Sequence, residues 1–546
     1  MGEATSRQER ARRVAHMRAE AKSLVQRLTA DGRNGTEIAD VLRARCGLNA
    51  RAAQRIAHGW TQEDVARLWN ERWPDDFKTH KNISYWETWQ PGPGKHGYAP
   101  SFDVLDKLAR LYACKVSDLL VDLGDYQPDP DALDPIHPAP HQARDAGHDQ
   151  SDAEVADSQA HWQRTRRHLN HNRPTLATAA ARLYRPEILL GEVPLLTTAT
   201  WTPDRPVDLR QLTLTWEPER QPVAIDGTEP EALLALPLRA PGDRFRSYTS
   251  AVRYVDPPAL FENRPSYRLL DLAWTGDAGS MTFGLATYFD KLDISEALGQ
   301  ELAAARSGLE SGAGGVPEVR WDQLPLRRAI GDPFDLASRA VVPAITTLTL
   351  IRDRAEQRAG FLLHWRDAQR VATAGGQYDV IPAGEFQPSS VVPWAHASDL
   401  DLWRNIVREY SEELCGTTEH DGSHGQPVDY AHWPFYRAIT HARDTERLHA
   451  YCLGAGLDAL TLAATIPTVV VIDHDAFAEI FGAIVRTNAE GTTVSSLDGS
   501  ASAQGIPFTE ANVRRFLTDE PMAPPGAACL ALAWRHRNLL LGPDTC

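Results

Sequence analysis

The chain has 546 residues, 42% of them apolar and 24% charged, which excludes a single compact domain and allows two or three hydrophobic cores. The net charge is −16, but residues 1–120 carry 20 Lys and Arg against 15 Asp and Glu, whereas the remaining residues carry 37 against 58. A basic end on an acidic body favours a DNA-binding module joined to another kind of domain.

The cysteines and the apolar stretches indicate the compartment. The six cysteines are scattered and form no C-x-x-C pair, which excludes a zinc knuckle or a redox dithiol and favours a reducing environment. Residues 1–30 lack the apolar core of a secretory signal. The most apolar stretch, 459–472, is interrupted by Pro467 and is shorter than the roughly 20 residues that span a bilayer. We therefore predict a cytoplasmic protein without a membrane partner.

Residues 1–122 are predicted to form an all-α domain. Residues 6–30 and 35–58 have the composition of supporting helices. Residues 60–121 contain three amphipathic segments, separated by a proline-containing loop and by the turn PGPGKHG. Short helices at this spacing predict a compact helical core over 60–121.

Two of these segments have the features of a helix-turn-helix, in which a supporting helix sets the angle of a second helix in the major groove. Thr61 is a good N-cap, and Gln62 lies in the first helical turn, where side chains commonly contact phosphates. Ile83, Trp86 and Trp89 recur at helical spacing and are expected to point inward. The outward positions then carry a mixture suited to groove edges and phosphates: Lys81, Asn82, Ser84 and Tyr85.

At these positions the sequence resembles the Cro/C1 (XRE-like) family of helix-turn-helix transcriptional regulators. Thr61–Ala66 is similar to the opening of that family's second helix, and Asn82–Glu87 is similar to its recognition helix. The resemblance implies a homodimer on double-stranded DNA. The contacts would come from Thr61, Gln62, Lys81, Asn82, Ser84 and Tyr85.

The sequence departs from this family in two connections. The link between the two helices is lengthened by ERWPDDF (71–77), and the turn after the recognition helix by PGPGKHG (91–97). Longer connections alter the docking angle and therefore the individual base contacts. The alternative is a helical protein-interaction domain of the same fold, which the acidic Asp75 and Asp76 near the presumed DNA face favour.

Residues 123–165 are predicted to be an acidic, proline-rich linker. They contain few large apolar residues, and such a composition cannot bury enough surface to order itself. His137, His141 and His148 stand among aspartates in this stretch. We interpret them as part of a solvated spacer rather than as a metal site.

From residue 166 onward, short β-like runs alternate with helical stretches, which predicts the α+β class. A glycine-rich segment, 307–315, favours a division into a middle region, 166–330, and a C-terminal domain, 340–545. The middle region suggests no chemistry, and its status as a separate domain is left open. The whole chain is thus predicted to be multidomain, all-α at its N-terminus and α+β beyond.

The clearest predicted helix of the C-terminal half runs from Ser398, its expected N-cap, to Gly416, its expected end. Glu409, Glu412 and Glu413 have the spacing of neighbours on one helix face. Three close carboxylates repel one another unless a cation such as Mg²⁺ offsets them. The alternative is a solvated acidic helix without a ligand.

This helix resembles the second half of the Nudix box, Arg-Glu-apolar-x-Glu-Glu-x-Gly, at Arg408–Gly416. Pro382–Gly384, after a strand-like run, resembles the loop that opens the box. The resemblance implies a Nudix-like domain over 340–545 that binds a nucleoside diphosphate-linked ligand through Mg²⁺. Its metal ligands would be Glu409, Glu412 and Glu413, with Arg408, Gly384 and Gly416 in supporting roles.

The first half of the box departs from the family. Leu400 stands where the family has a glutamate, and Gly384 lies further upstream of Arg408 than the family spacing. Either an insertion displaces the loop and Glu385 or Asp399 substitutes for the missing glutamate, or metal-assisted hydrolysis is weakened or lost.

Other polar clusters carry weaker signals. His474 stands between two aspartates after a buried-looking strand, and an exposed strand end is a simpler interpretation than a catalytic base. His420, Asp421 and His424 lie in a glycine-rich loop that could close over a ligand. The sequence contains no G-x-x-x-x-G-K-[ST] phosphate loop and no G-x-S-x-G nucleophile elbow.

Three functional hypotheses follow from these patterns. The favoured one is a DNA-binding transcriptional regulator whose Nudix-like domain senses a nucleotide-type ligand, because binding without turnover preserves a signal. The second is an active Mg²⁺-dependent Nudix pyrophosphohydrolase with an accessory helix-turn-helix domain. The third is a regulator whose C-terminal region binds a protein and no small molecule.

Overall fold

The structure, a computed structural model, forms two compact units, a helical N-terminal unit and a larger body. It combines helices with mixed β-sheets, so the predicted multidomain α+β class is confirmed at that level. In the part of the chain that the structure describes, no helix is both long and apolar enough to cross a membrane. The described residues are 21–29, 33–46, 48–73, 78–89, 100, 102–114, 116–121, 149–219, 221–258, 261, 263–310, 318–366, 376–390, 393–417, 428–482, 491–494 and 505–542.

The N-terminal unit is built from short helices, as its sequence predicts. Two apolar clusters hold it together, one from the helices before residue 58 and one from those after residue 60. In the second cluster, Trp69 packs with Ile83, Trp86 and Trp89, so the predicted inward residues are buried. The helices are α1 (residues 21–29), α2 (Gly35–Cys46), α3 (Ala50–Ala57), α4 (Gln62–Arg72), α5 (His80–Thr88), α6 (Phe102–Tyr112) and α7 (Val116–Leu120).

The prediction of a linker over 123–165 is wrong in its last part. Residues 149–165 belong to a 23-residue helix, α8 (Asp149–His171). The helix is ordered because the Trp162 side chain is buried in the core of the body, and its indole N–H donates to the Ala235 carbonyl at 3.1 Å. One buried tryptophan in a polar segment outweighs the unfavourable average composition. His137, His141 and His148 lie outside the described residues.

The body contains all the described strands and the remaining helices, except that residues 393–395 of α14 group with the N-terminal unit. Its helices after α8 are α9 (Arg173–Ala181), α10 (Pro230–Leu233), α11 (Tyr248–Val255), α12 (Tyr288–Glu310), α13 (Pro325–Ile330), α14 (Pro393–Ser398), α15 (Leu402–Glu413), α16 (Pro434–Asp444), α17 (His474–Phe481), α18 (Glu510–Thr518), α19 (Pro524–Arg535) and α20 (Arg537–Leu541). Its strands are β1 (Leu189–Leu190), β2 (Val193–Leu196), β3 (Val207–Asp208), β4 (Leu212–Trp216), β5 (Leu238–Ala240), β6 (Asp243–Arg244), β7 (Pro265–Thr275), β8 (Ala278–Thr287), β9 (Pro343–Asp353), β10 (Arg358–Phe361), β11 (Leu363–Arg366), β12 (Gln377–Val380), β13 (Ala383–Glu385), β14 (Leu448–Cys452), β15 (Gly456–Asp458), β16 (Ala464–Asp473), β17 (Gly491–Val494) and β18 (Ile506–Pro507).

A large mixed sheet forms the centre of the body, and its main path runs β1-β2-β15-β16-β9-β10-β18. Strands β9 and β16 are parallel, from Pro343 opposite Ala464 to Arg352 opposite Asp473. Both are apolar along most of their length, as expected for strands buried on both faces. The short strand β13 pairs antiparallel with the start of β9 and thereby lies at the edge where the candidate site is found.

Helices cover both faces of this sheet. Side chains of one face, such as Ile345 and Ile466, share a core with α15 and α17, whereas Leu348 and Val469, on the other face, share a core with α18 and α19. Alternate residues of a strand point to opposite faces, so the two strands supply both cores at once.

The middle region is packed into the same compact unit as the C-terminal region. Its small sheet, β4-β8-β7, contributes Tyr267 and Phe283 to the apolar cluster that also contains Ile345 and Ile406. Helix α12 adds further buried residues to this cluster. The question that the sequence left open is therefore answered, because the two regions share one core.

Candidate functional site

Thr61 begins helix α4 as its N-cap, as predicted. Its side-chain oxygen accepts from the Asp64 N–H at 3.1 Å, and the Asp64 carboxylate accepts from the Thr61 N–H at 3.0 Å. This reciprocal capping box satisfies two of the N–H groups that a helix start leaves unpaired. Thr61 therefore has a structural role in addition to the predicted DNA contact.

Gln62 connects the two helices of the predicted helix-turn-helix. Its side-chain N–H donates to the Glu87 carboxylate at 2.7 Å, and Arg55 donates to the same carboxylate at 2.5 and 3.0 Å. Burial by itself would lower the pKa of Arg55, but the bond to Glu87 raises it. Because Glu87 lies near the end of α5, Gln62 fixes the start of one helix to the end of the other.

The face of α5 predicted to contact DNA divides into two kinds of residue. Asn82 accepts from both the N–H and the hydroxyl of Thr79, each at 2.8 Å, so its side-chain oxygen caps the helix. Lys81 and Tyr85 are exposed, and Ser84 is half-buried. Lys81 and Tyr85 therefore present the most accessible side chains on this face.

Arg51 fixes the end of α5, and sequence analysis missed it. This buried guanidinium donates to the carbonyls of Trp86, Trp89 and Leu119 at 3.0, 3.2 and 2.8 Å. The last carbonyls of a helix have no partner within the helix, and Arg51 supplies donors for them. Its helix reads ARAAQRIA, in which no pattern distinguishes a buried arginine from an exposed one.

Lysines and tryptophans of the N-terminal unit lie close together. The ammonium groups of Lys78 and Lys107 lie 5.8 and 5.6 Å from the Trp69 ring centre, a distance typical of cation–π contact.

The residues Asp75 and Asp76, much of the lengthened link and the turn at 91–97 lie outside the described residues, so their effect on docking stays a prediction.

The acidic helix of the C-terminal region is α15, and its start differs from the prediction. Asp401, not Ser398, is the N-cap, and its carboxylate accepts from the Arg404 N–H at 3.0 Å. Ser398 is instead the last residue of α14, a separate short helix that precedes α15 in the chain.

Gly416 follows the end of α15 as predicted. It has a positive φ of 67°, which glycine tolerates, and its N–H donates to the Glu412 carbonyl at 3.2 Å. In the box order Arg-Glu-apolar-x-Glu-Glu-x-Gly, however, the glycine position coincides with Cys415, and Gly416 comes one residue later. The resemblance at this end is therefore one of helix termination rather than of identical spacing.

Arg408 is fully buried and anchors α15 to the loop before it. Its guanidinium donates to Asp399 at 3.3 Å and to the Tyr430 hydroxyl at 2.5 Å, and also to the Gln387 carbonyl and the Asn405 side chain at 2.6 and 2.7 Å. Burial alone would lower the pKa of Arg408, but Tyr430 and Asp399 raise it. Arg408 thus anchors the helix through its pair with Asp399, and its predicted supporting role at a metal site stays a prediction.

The structure brings Gly384 and the acidic helix together despite their separation in sequence. A Cβ atom at position 384 would collide with the Glu409 carboxylate, so glycine allows this close approach. The neighbouring Ala383 N–H donates to the Glu413 carboxylate at 3.1 Å. Glu413 is buried, whereas Glu409 and Glu412 are half-buried. Strand β13 therefore lies directly against the carboxylate face of α15.

Lys291 forms an ion pair with Glu385, the residue after Gly384 in β13, and the sequence did not reveal Lys291. Its ammonium lies 2.7 Å from Glu385 Oε2, and the two side chains are 12% and 13% exposed. The other oxygen, Oε1, is buried and has no hydrogen-bond partner in the described part of the chain. Burial raises the pKa of Glu385, and Lys291 opposes that rise. The only signal in the sequence is that Lys291 is the one lysine after residue 115.

Two carboxylates beside or on β13 already have partners within the protein. Glu413 is bonded to a main-chain N–H and Glu385 to Lys291. Across the described residues, no group of three or more His, Cys, Asp or Glu side chains is placed to hold a metal ion. The assignment of Glu409, Glu412 and Glu413 to Mg²⁺ stays a prediction.

The weaker histidine signals contribute little. His474 is the first residue of α17, so it starts a helix rather than ending an exposed strand. His420, Asp421 and His424 lie outside the described residues.

No protein-family model matches the chain, and no curated protein matches its sequence.

Proposed function

We propose that the chain is a DNA-binding transcriptional regulator in which a Nudix-like C-terminal domain binds a nucleotide-type ligand without hydrolysing it. The observation that carries this proposal is the ion pair between Lys291 and Glu385, 2.7 Å apart. A hydrolase of this type needs its carboxylates for metal ions, because the metal activates water and offsets phosphate charge. Carboxylates held by an ammonium and by an N–H group favour binding over turnover.

The DNA-binding half of the proposal is supported by the geometry of α4 and α5. The Gln62–Glu87–Arg55 bonds fix the angle between the two helices, which a recognition helix requires. Lys81 and Tyr85 are exposed on α5 and are the residues to which we assign groove contacts. A homodimer on a two-fold operator follows from the same resemblance.

The alternative is an active Mg²⁺-dependent Nudix pyrophosphohydrolase. Its support is the close approach of Gly384 to Glu409, because the loop that resembles the start of the box lies against the helix that resembles its end. In that case Glu409 and Glu412 would ligate the metal, with Glu413 or Glu385 rearranging on binding. A regulator whose C-terminal region binds a protein remains the third hypothesis.

A thermal-shift screen of the full chain tests the ligand half. Nucleoside diphosphate-linked compounds are added with and without Mg²⁺, and each mixture is sampled for product. A compound that stabilises the protein and stays intact supports the sensor, and a compound that is cleaved supports the hydrolase. If cleavage is found, Glu412→Gln and Glu413→Gln variants should abolish it; no shift with any compound would contradict both.

Selection of binding sites from random duplex DNA tests the DNA half. We expect the full chain to enrich one sequence, with an affinity that falls as salt rises. Substituting Lys81 and Tyr85 by Ala should weaken binding to that sequence by at least about tenfold. Arg514→Ala, which removes an arginine 72% exposed in the body, is the matched control. Absence of enrichment would favour the protein-interaction alternative for the helical unit.

A further inference from the structure

The small sheet of the middle region, β4-β8-β7, has one closed edge and one open edge. At the closed edge, the N–H groups of Tyr267 and Leu269 in β7 donate to the carbonyls of Phe386 and Val341 at 3.0 and 2.8 Å. At the other edge lies β4, which pairs with β8 on its inner side. Among the described residues, only the turn that leads into β4 bonds to its outer side. The middle region therefore presents an unpaired strand edge.

The register shows which main-chain groups of β4 point away from the sheet. The Glu217 N–H, just after the strand, donates to a carbonyl of β8 at 2.8 Å. In a parallel ladder alternate residues bond to the same neighbour, so Thr213 and Thr215 also bond to β8. The main-chain groups of Leu214 and Trp216 then point outward, where a further strand could bond to them.

This edge lacks the usual protection against strand pairing. Proteins protect sheet edges with charged residues, with proline or with a covering segment, and β18, at one end of the large sheet, contains Pro507. Strand β4 reads LTLTW and has neither charge nor proline. Thr213 and Thr215 are exposed, and the three alternate residues are only half-buried. An edge of this kind is suited to the addition of another strand.

The sequence of β4 is complementary to itself in an antiparallel arrangement. A two-fold axis at Leu214 places this residue against its own copy and places Leu212 opposite Trp216. On the other face, Thr213 comes opposite Thr215. Aromatic–aliphatic and Thr–Thr pairs stabilise neighbouring strands, and no like charges meet within the strand. Pairing would also cover the remaining apolar surface of the half-buried residues.

The charges that flank β4 fit the same arrangement. Arg210 precedes the strand, whereas Glu217 and Glu219 follow it. Antiparallel pairing brings the start of one strand to the end of the other, so each Arg210 approaches the two glutamates of the second copy. Arg210 already bonds to Asp208 through its main-chain N–H, Nε and Nη2, which leaves Nη1 for a second carboxylate.

We propose that β4 is a dimer interface, in which a second copy of the chain adds its own β4 antiparallel to the first. The two small sheets then form one continuous sheet through a two-fold contact that uses the same surface on both copies. This inference goes beyond the proposed function, which expects a homodimer on DNA but names no surface for it. The contact requires neither DNA nor a ligand.

Sedimentation velocity of the full chain without DNA tests the interface through two exposed positions. Thr213→Lys/Thr215→Lys places lysine opposite lysine across the proposed axis, and we expect the dimer dissociation constant to rise at least about tenfold. Thr213→Glu/Thr215→Lys places glutamate opposite lysine and should dimerise at least as well as the wild type. Since both side chains are exposed, both variants should keep the circular dichroism spectrum of the wild type.

The matched control adds two lysines to the same sheet away from its open edge. Ala273→Lys/Ser280→Lys changes two exposed residues that lie opposite each other on β7 and β8. Because neither strand faces the second copy, this variant should dimerise as the wild type does.

The outcomes separate this inference from the proposed function. Loss of the dimer in the Lys/Lys variant of β4 alone supports the interface. If the wild type is dimeric and that variant dimerises equally well, another surface is used and only the inference is overturned. Loss of the dimer in the Glu/Lys variant or in the control also overturns it, because charge then acts without this register. A monomeric wild type overturns the inference, while selection from random DNA still decides DNA binding.

Discussion

Helices α5 and α15 are the two helices whose sequences suggest function, and buried arginines stabilise them in different ways. The end of α5 is held by Arg51 of a neighbouring helix, which donates to main-chain carbonyls. Helix α15 is held by its own Arg408, which is paired with the buried carboxylate of Asp399. An arginine on carbonyls leaves neutral oxygens when it is removed, whereas an arginine on a carboxylate leaves a buried charge. The second loss is therefore expected to cost more.

The largest effect is expected when the arginine of α15 is removed. Arg408→Met leaves Asp399 as a buried charge without its guanidinium, and we expect the free energy of unfolding of the body to fall by about 3–5 kcal/mol. Urea unfolding followed by circular dichroism measures this loss. Adding Asp399→Asn should restore part of it, because the uncompensated charge is then absent; a second substitution that adds to the loss would contradict the argument.

A smaller effect is expected for the arginine of the N-terminal unit. Arg51→Met leaves the carbonyls of Trp86, Trp89 and Leu119 without these donors, and we expect a loss of about 2–4 kcal/mol. Tryptophan fluorescence during urea unfolding reports this loss. The control is Arg67→Met, whose side chain is 58% exposed and paired with Glu71, and which should cost less than about 0.5 kcal/mol. Equal losses for both variants would mean that the carbonyl contacts contribute nothing.

Glu301 is the acidic counterpart of Arg51. It is a buried carboxylate that accepts hydrogen bonds from main-chain N–H groups, whereas Arg51 is a buried cation that donates to main-chain carbonyls. Burial raises the pKa of Glu301 from the ordinary value of 4.5 to about 7. The folded protein then binds the proton more tightly than the unfolded chain. We therefore expect its contribution to the free energy of unfolding to be complete below pH 4.5 and to be lost as the pH rises to about 7, by up to about 3 kcal/mol.

The measurement for Glu301 is the free energy of unfolding in urea across that pH range. Glu301→Gln should flatten the decline, because the amide does not titrate. Glu479→Gln, which removes a carboxylate 67% exposed beside Arg447, should leave the slope as in the wild type. A slope that is unchanged in Glu301→Gln would show that this carboxyl titrates normally.

The smallest effect is expected for the neutral cap of α4. Thr61→Ala removes the side-chain acceptor for the Asp64 N–H and should cost about 1 kcal/mol in the N-terminal unit. Thr61→Ser keeps the oxygen and should cost no more than about 0.3 kcal/mol. Thermal unfolding followed by tryptophan fluorescence compares the two. Equal destabilisation by Ala and Ser would assign the effect to the lost methyl group rather than to the cap.

The sequence by itself determined the local features of both regions. The cap at Thr61, the inward face of Ile83 and Trp86, and the helix end before Gly416 depend on side chains within about one helical turn of each other. The apolar run of β16 likewise predicts a buried strand from composition alone. These features were predictable because each arises from neighbouring residues and needs no knowledge of what packs against them.

Only the tertiary structure decided which polar groups meet. Lys291 reaches Glu385 across 94 residues, and Arg51 reaches Leu119 across 68, because packing of helices on a sheet or on one another brings distant segments together. The same packing orders residues 149–165, whose composition predicts a linker, by burying Trp162. Average composition and helical period contain no information on such distant pairs, so the contacts of β13 with α12 and with α15 became visible only in the tertiary structure.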